Sequence, residues 1–193
     1  MEIKHVIALI LLLLAFPAAS VATTLSQRAR DAAFFLLTTG AVLTELMDVN
    51  FFGQFWYRGT TRGIEISVLD ILAFSLLAAS LLKPRYGGNR WYWPASLGLL
   101  LAYFFYAGFS VLISEPKLAG LWELSKILRG ILVFLAAAFF VRTRRELSLL
   151  VAALGCAVCF ESLLGFKERL WDGIYRVPAT FDHPNSFSMY LCL

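Results

Sequence analysis

The 193-residue chain is 60% apolar and only 16% charged, with a mean hydropathy of +0.74; soluble domains carry about 25% charged residues, so an ordinary soluble fold is excluded and a membrane protein is implied. The net charge of +4 and pI near 9.1 do not indicate a nucleic-acid partner, because the basic residues stand in short clusters between apolar runs, as headgroup and topology signals do. Cys156, Cys159 and Cys192 lie inside apolar runs, which implies no disulfide framework; the Cys-x-x-Cys spacing reads as two small core residues rather than a redox or zinc pair.

A membrane-crossing helix needs about 20 mostly apolar residues, and six segments approach that length: Ile3–Ala22, Ala32–Met47, Ile64–Leu82, Trp93–Ile113, Leu121–Val141 and Leu147–Phe166. A seventh begins at about Asn185. The expected fold is therefore all-α: a polytopic transmembrane bundle of six complete spans plus the start of a seventh, in a single membrane-embedded domain covering residues 1–193. The first segment reads as an uncleaved span; a signal peptide is the alternative, since Lys4 precedes its apolar core and Ser20-Val21-Ala22 resembles a cleavage site. The second segment is short, which fits a tilted or re-entrant helix.

Loop charges set the orientation. Arg28 and Arg30 follow span one, Lys83, Arg85 and Arg90 follow span three, and Arg142, Arg144 and Arg145 follow span five. By the positive-inside rule these three loops are cytoplasmic, and the mixed-charge loops between them face outward together with the N-terminus. Trp56, Tyr57, Trp91, Tyr92, Trp93, Trp122, Trp171 and Tyr175 fall at span ends, where aromatic belts sit.

An acid or base at mid-helix costs about 2.5 to 3.5 kcal/mol on insertion scales, so Glu45, Glu65, Asp70, Lys126, Arg129 and Glu161 each need a reason. In this topology all six lie toward the outer side. Glu123, Lys126 and Arg129, three apart, form one oblique helical stripe. Internal salt bridging explains the charges equally well, with Glu123 on Lys126 and Arg129 on Asp70 or Glu161. A water-filled outward cavity lined by basic groups is the functional reading, in which Lys126 and Arg129 bind a diphosphate.

Polar groups, turns and a helix start come together in Arg176-Val177-Pro178-Ala179-Thr180-Phe181-Asp182-His183-Pro184-Asn185-Ser186. Pro178 and Pro184 favour an ordered extended loop, and Asp182 or Asn185 caps the helix that follows. With Arg176 upstream, that helix N-terminus is suited to an anion such as a phosphate; a plain Pro-Asn turn into a membrane helix is the alternative. His183 reads as structural beside Asp182 rather than as a general base. The sequence shows no metal-ligand cluster, Gly-rich phosphate loop or Ser-His-Asp order.

This stretch resembles the O-antigen ligase and exopolysaccharide polymerase superfamily, whose members carry Arg-x-x-Gly-Thr-Phe between two membrane helices, followed by Pro-Asn and a small apolar run. Arg176, Thr180, Phe181, Pro184, Asn185 and Tyr190-Leu191 occupy those positions, and Ala179 stands where the family has glycine. If that position requires positive φ, alanine costs roughly 1 kcal/mol. The likeness covers the last third of the chain, reaching back through Leu124–Val141 and Arg142–Leu147 to Glu161. It implies a cofactor-free, metal-independent glycosyl transfer on the outer face of the bacterial cytoplasmic membrane. The donor would be an undecaprenyl-diphosphate-linked glycan, the acceptor a glycan or lipid A core, and Arg176 a diphosphate contact. The catalytic base and further arginines of the family come from a later loop with no counterpart here, so the expectation is an N-terminal part of such an enzyme, inactive alone. A non-enzymatic transporter or flippase-like subunit using the same outward charges is the reading from another class.

Overall fold

The computed structural model describes residues 3–41, 48–51, 63–83, 93–175, 177, 179–180 and 188. In chain order these form α1 (Ile3–Leu25), α2 (Gln27–Gly40), β1 (Asp48–Phe51), β2 (Ile64–Ser67), α3 (Val68–Leu82), α4 (Leu97–Ile113), α5 (Lys117–Phe140) and α6 (Arg144–Leu170). Six helices stand where six spans are expected, with shifted ends. The expected seventh, from Asn185, lies outside the described residues apart from Ser188.

Local capping explains the shifts. Ser26 closes α1 through its N–H to the Ala22 carbonyl (2.9 Å) and opens α2 by accepting from the Ala29 N–H (3.3 Å), so α2 starts a turn before the apolar run at Ala32. At α6 the Thr143 hydroxyl accepts from the Glu146 N–H (3.3 Å), and the Glu146 carboxylate accepts from the Thr143 and Arg142 N–H groups at 2.9 and 2.8 Å. This reciprocal cap starts the helix before Leu147. The third expected span is shortened in the same way. Asp70 Oδ2 accepts from the Ser67 N–H at 2.8 Å, which starts α3 at Val68, and Ile64–Ser67 is instead an extended strand. It pairs antiparallel with Asp48–Phe51, Asp48 opposite Ser67 and Phe51 opposite Ile64. Among the described residues this two-stranded ribbon is the one departure from an all-α fold. The alternation Ile64-Glu65-Ile66-Ser67 is a strand pattern, masked in the sequence by the apolar run it leads into.

Helix directions alternate. Arg30 at the start of α2 meets Ala79 and Lys83 at the end of α3, and a Cβ on Gly40 at the end of α2 would lie 2.7 Å from the Leu69 side chain at the start of α3, so these two are antiparallel. Asp31 and Thr39 of α2 meet Arg145 and Ala153 of α6, which makes them parallel. Gly120 of α5 lies against Val111 of α4, with a Cβ there 2.9 Å from the valine methyls. The core is formed by Ala33, Phe34 and Leu37 of α2, Ala73 and Leu76 of α3, and Ala136 and Phe140 of α5. The Phe34 and Phe140 rings stack 4.0 Å apart. Small residues on α3 admit α1 closely enough for the Thr23 hydroxyl to donate to the Ser75 carbonyl at 3.2 Å, the packing mode of helices in lipid.

Among the described residues, α6 is the helix both long and apolar enough to cross a membrane. Its most apolar stretch is only 17% buried, whereas the core helix of a soluble protein would be mostly covered. Leu13–Leu25, α3 and α4 are apolar but shorter, and α5, at 24 residues, carries Lys117, Glu123, Lys126 and Arg129. Leu13, Leu14, Leu99, Phe105, Phe109 and Leu163 are all exposed, so the bundle presents an apolar exterior. Cys156 and Cys159 belong to that exterior and are not the core residues their apolar surroundings led us to expect.

Candidate functional site at the hairpin end of the bundle

The helices differ in height. From the Asp31–Arg145 contact, α2 ends at Gly40 while α6 continues to Leu170; at 1.5 Å per residue α6 stands about 24 Å taller. By the same measure α5 rises about 15 Å past the start of α3, counted from the Asp70–Arg129 contact. The upper halves of α5 and α6 therefore extend beyond the ends of α2 and α3, on the side where the hairpin lies.

Arg129 occupies the lower part of this region. Its Nε donates to Asp70 Oδ1 at 3.0 Å and its Nη2 to the Ser67 hydroxyl at 2.9 Å. Asp70 thus caps α3 with one oxygen and binds the guanidinium with the other. Of the two partners expected for Arg129, the structure selects Asp70; the pair is largely buried, and mutual neutralisation makes its depth tolerable. Beside it opens a cavity of about 390 Å³ between α1, α3 and α5, walled by Phe16, Phe74, Leu128 and Leu132, with Asp70 and Arg129 at its polar edge. Lys126, a turn away on α5, is exposed and does not line this cavity.

The second polar cluster is on α6. Glu161 is completely buried and accepts from both the Thr180 hydroxyl and the Thr180 N–H, the latter at 3.3 Å. Two turns further, Glu168 Oε2 accepts from the Ala179 N–H at 3.0 Å. Between helix and contact the chain turns at Gly173, φ +68°, and again at Ala179, φ +52°. Arg169 lies over the Tyr175 ring, 5.1 Å from its centroid. The position where a glycine was anticipated does adopt the left-handed conformation, and an alanine holds it.

Arg176, Asn185, Asp182 and His183 lie outside the described residues, as does Glu45. The structure brings Arg129 to Asp70 and Ser67, and Glu161 to Thr180; it does not join these two clusters through any hydrogen bond among the described residues. Reading the sequence alone missed Ser67 and Glu168 as partners. Ser67 was legible as a Ser-x-x-Asp cap, whereas Glu168 had no local signal.

Comparison of the chain with protein-family models, curated proteins and solved structures finds no match.

Proposed function

We propose that the chain is a multi-pass protein of the bacterial cytoplasmic membrane, a six-span bundle, and the N-terminal part of a glycosyltransferase of surface-polysaccharide assembly, of the O-antigen ligase or polymerase kind. The donor is an undecaprenyl-diphosphate-linked glycan and the acceptor another glycan or lipid A core, with the chemistry at the extracytoplasmic face. Ala179 is the observation that carries the reading: its φ of +52° falls at the motif position where the resembling family places glycine, a conformation that a plain turn between two helices does not require. The alternation of helix directions supports the orientation, since the three basic clusters of the sequence come after α1, α3 and α5 in chain order. In this reading Arg176 and the helix start expected from the sequence at Asn185 hold the lipid diphosphate, through planar bidentate geometry and backbone N–H groups. Lys126 and Arg129 add positive charge on the α5 wall, Arg129 being oriented by Asp70.

The test is polymer or ligation activity of the gene's full product in a strain lacking its own enzyme. Arg176→Lys is expected to lose most activity and Arg176→Ala nearly all of it, with membrane abundance unchanged if the guanidinium serves the ligand rather than the fold. A cysteine substituted for Asp172 should be labelled only from outside the cell. Wild-type specific activity in Arg176→Lys would overturn the diphosphate role. Accumulation of lipid-linked glycan on the cytoplasmic face in a null strain would replace the transferase with a transport function.

A further inference from the structure

α1 and α5 both pack against α3, and between them they leave the cavity of about 390 Å³ described above. Its α5 wall runs from Ser125 to Leu135, about 15 Å at 1.5 Å per residue, so the space is a slot along the helices and not a round chamber. Phe16, Phe74, Leu128, Leu132 and Leu135 make its sides hydrocarbon. The polar groups at its edge are already engaged with protein: Arg129 with Asp70 and Ser67, and the Ser125 hydroxyl donating to the Trp122 carbonyl at 2.7 Å. Phe74 and Leu128 are each about half exposed, so the slot opens on the apolar outside of the bundle.

Such a space is costly to leave empty, because its lining forfeits dispersion contacts in proportion to the void. Water does not relieve that cost. A buried water needs about two to four polar partners, and the slot has polar groups at one edge alone, where they hold each other. A charged or sugar-like ligand meets the same lack of partners along the walls. Hydrocarbon fits them, and a bilayer supplies hydrocarbon at the open side.

We infer that the slot between α1, α3 and α5 is a lipid site, holding one acyl chain of a bilayer phospholipid against Phe16, Phe74 and Leu132. The chain enters from the open side and its headgroup stays outside, since the Asp70–Arg129 pair presents no net charge to attract it. It fills the gap that α1 and α5 leave and so links the two helices. The inference rests on the membrane placement proposed above and not on the transferase reading; no part of the lipid-linked donor is assigned to this slot.

The experiment uses the full-length gene product in vesicles of phosphatidylcholine, a small fraction of which carries a photoactivatable diazirine near the end of one acyl chain. Irradiated in the vesicles, the protein should be labelled both in the slot and at Phe105 and Phe109 on the exposed side of α4. Irradiated instead after extraction into dodecyl maltoside and removal of free lipid, it should keep label at Phe74, Leu128, Leu132 or Leu135 and lose it from α4. Leu128→Trp, which puts a larger ring at the half-exposed rim of the slot, should abolish the retained label, and Leu99→Trp on the outside of α4 should not. Should Leu128→Trp fail to fold, displacement of the retained label by excess unlabelled long-chain phosphatidylcholine is the second measure. Phosphatidylglycerol with the same labelled chain should be retained equally well. Label on α4 in vesicles with none in the slot after extraction would overturn the site, as would retained label that unlabelled phosphatidylcholine did not displace. A slot that kept phosphatidylglycerol alone would overturn its reading as a chain site, and stronger displacement by undecaprenyl phosphate than by equimolar phosphatidylcholine would overturn the occupant. If α4 took no label even in the vesicles, the membrane placement itself would fall, and this site with it.

Discussion

The two ends of the bundle bury charge in different ways. At the end bearing the basic loops, Arg30 is buried beneath the last turn of α3. Its Nε donates to the Thr23 carbonyl at 2.9 Å and its Nη2 to the Ala79 carbonyl at 3.1 Å, with the Lys83 carbonyl also in reach. These carbonyls lie in or just past the last turns of α1 and α3, where the helix leaves acceptor capacity over (Ala79 also accepts from the Lys83 N–H at 3.0 Å), and a guanidinium with five donors satisfies several of them. Glu146 does the converse at the start of α6. At the hairpin end, by contrast, Arg129 and Glu161 are not at helix termini. They are held by side chains and loop residues further off in sequence, Arg129 beside a cavity. At one end the charges finish helices; at the other, Asp70 finishes α3 with one oxygen and holds the Arg129 guanidinium with the other.

The largest test of that contrast is Arg30→Ala. Removing a buried donor that serves several carbonyls should cost about 3 kcal/mol, seen as an earlier unfolding midpoint in detergent on titration with SDS, with Arg30→Lys recovering only part. A loss below about 0.5 kcal/mol would mean that water reaches those carbonyls and that this end is not a closed structural joint. Next in size is Asp70→Ala, which removes both the cap of α3 and the carboxylate facing Arg129 and should cost about 2 kcal/mol, while adding Arg129→Met should recover the part due to the buried guanidinium but not the roughly 1 kcal/mol of the lost cap. If the double variant remained as unstable as the single one, the pair would be part of the packing rather than a neutralised site. A stability recovered without activity would mark Arg129 as functional.

Ala179→Gly should act in the opposite direction. A residue at φ +52° is relieved by glycine of about 1 kcal/mol of backbone strain, partly offset by the greater freedom of glycine in the unfolded chain, so the midpoint should rise or hold. A clear fall would show that the methyl packs against something worth more than the strain. The smallest effect belongs to Arg145→Ala. The Asp31–Arg145 bridge is 3.0 Å long, but the arginine is 78% exposed, and such pairs are worth about 0 to 1 kcal/mol, less in high salt. A loss that persisted at a salt concentration of about 1 M, where exposed charges are screened, would make this contact part of the joint formed by Arg30.

Much of the architecture was readable from hydropathy and charge, because both act locally. The apolar runs placed six helices, while the caps at Ser26, Thr143 and Asp70, each spanning three residues, were legible signals that the reading did not use and that moved three helix starts. The candidate site was readable only in part. The sequence singled out Arg129 and Glu161 as charges needing partners, and marked position 179 as one where positive φ would matter, since an alanine stands where the resemblance expects glycine.

Which partner each charge takes could not be decided in one dimension, because a long-range ion pair depends on helix heights and rotations that no local rule sets. Arg129 had two acceptable carboxylates, and only the level at which α3 begins brings Asp70 rather than Glu161 to it. Glu161 meets Thr180 because residues 179 and 180 lie back against α6, where Glu168 also takes the Ala179 N–H, a long-range return that no local signal announced. Ile64–Ser67 was read as the first turn of a helical span because it leads into an apolar run; the pairing with Asp48–Phe51 and the Asp70 cap at its boundary make it a strand. Composition therefore determined the apolar, helical character of the chain and local caps where α2, α3 and α6 begin, whereas the contacts at the hairpin end were decided by packing, which alone compares distant residues.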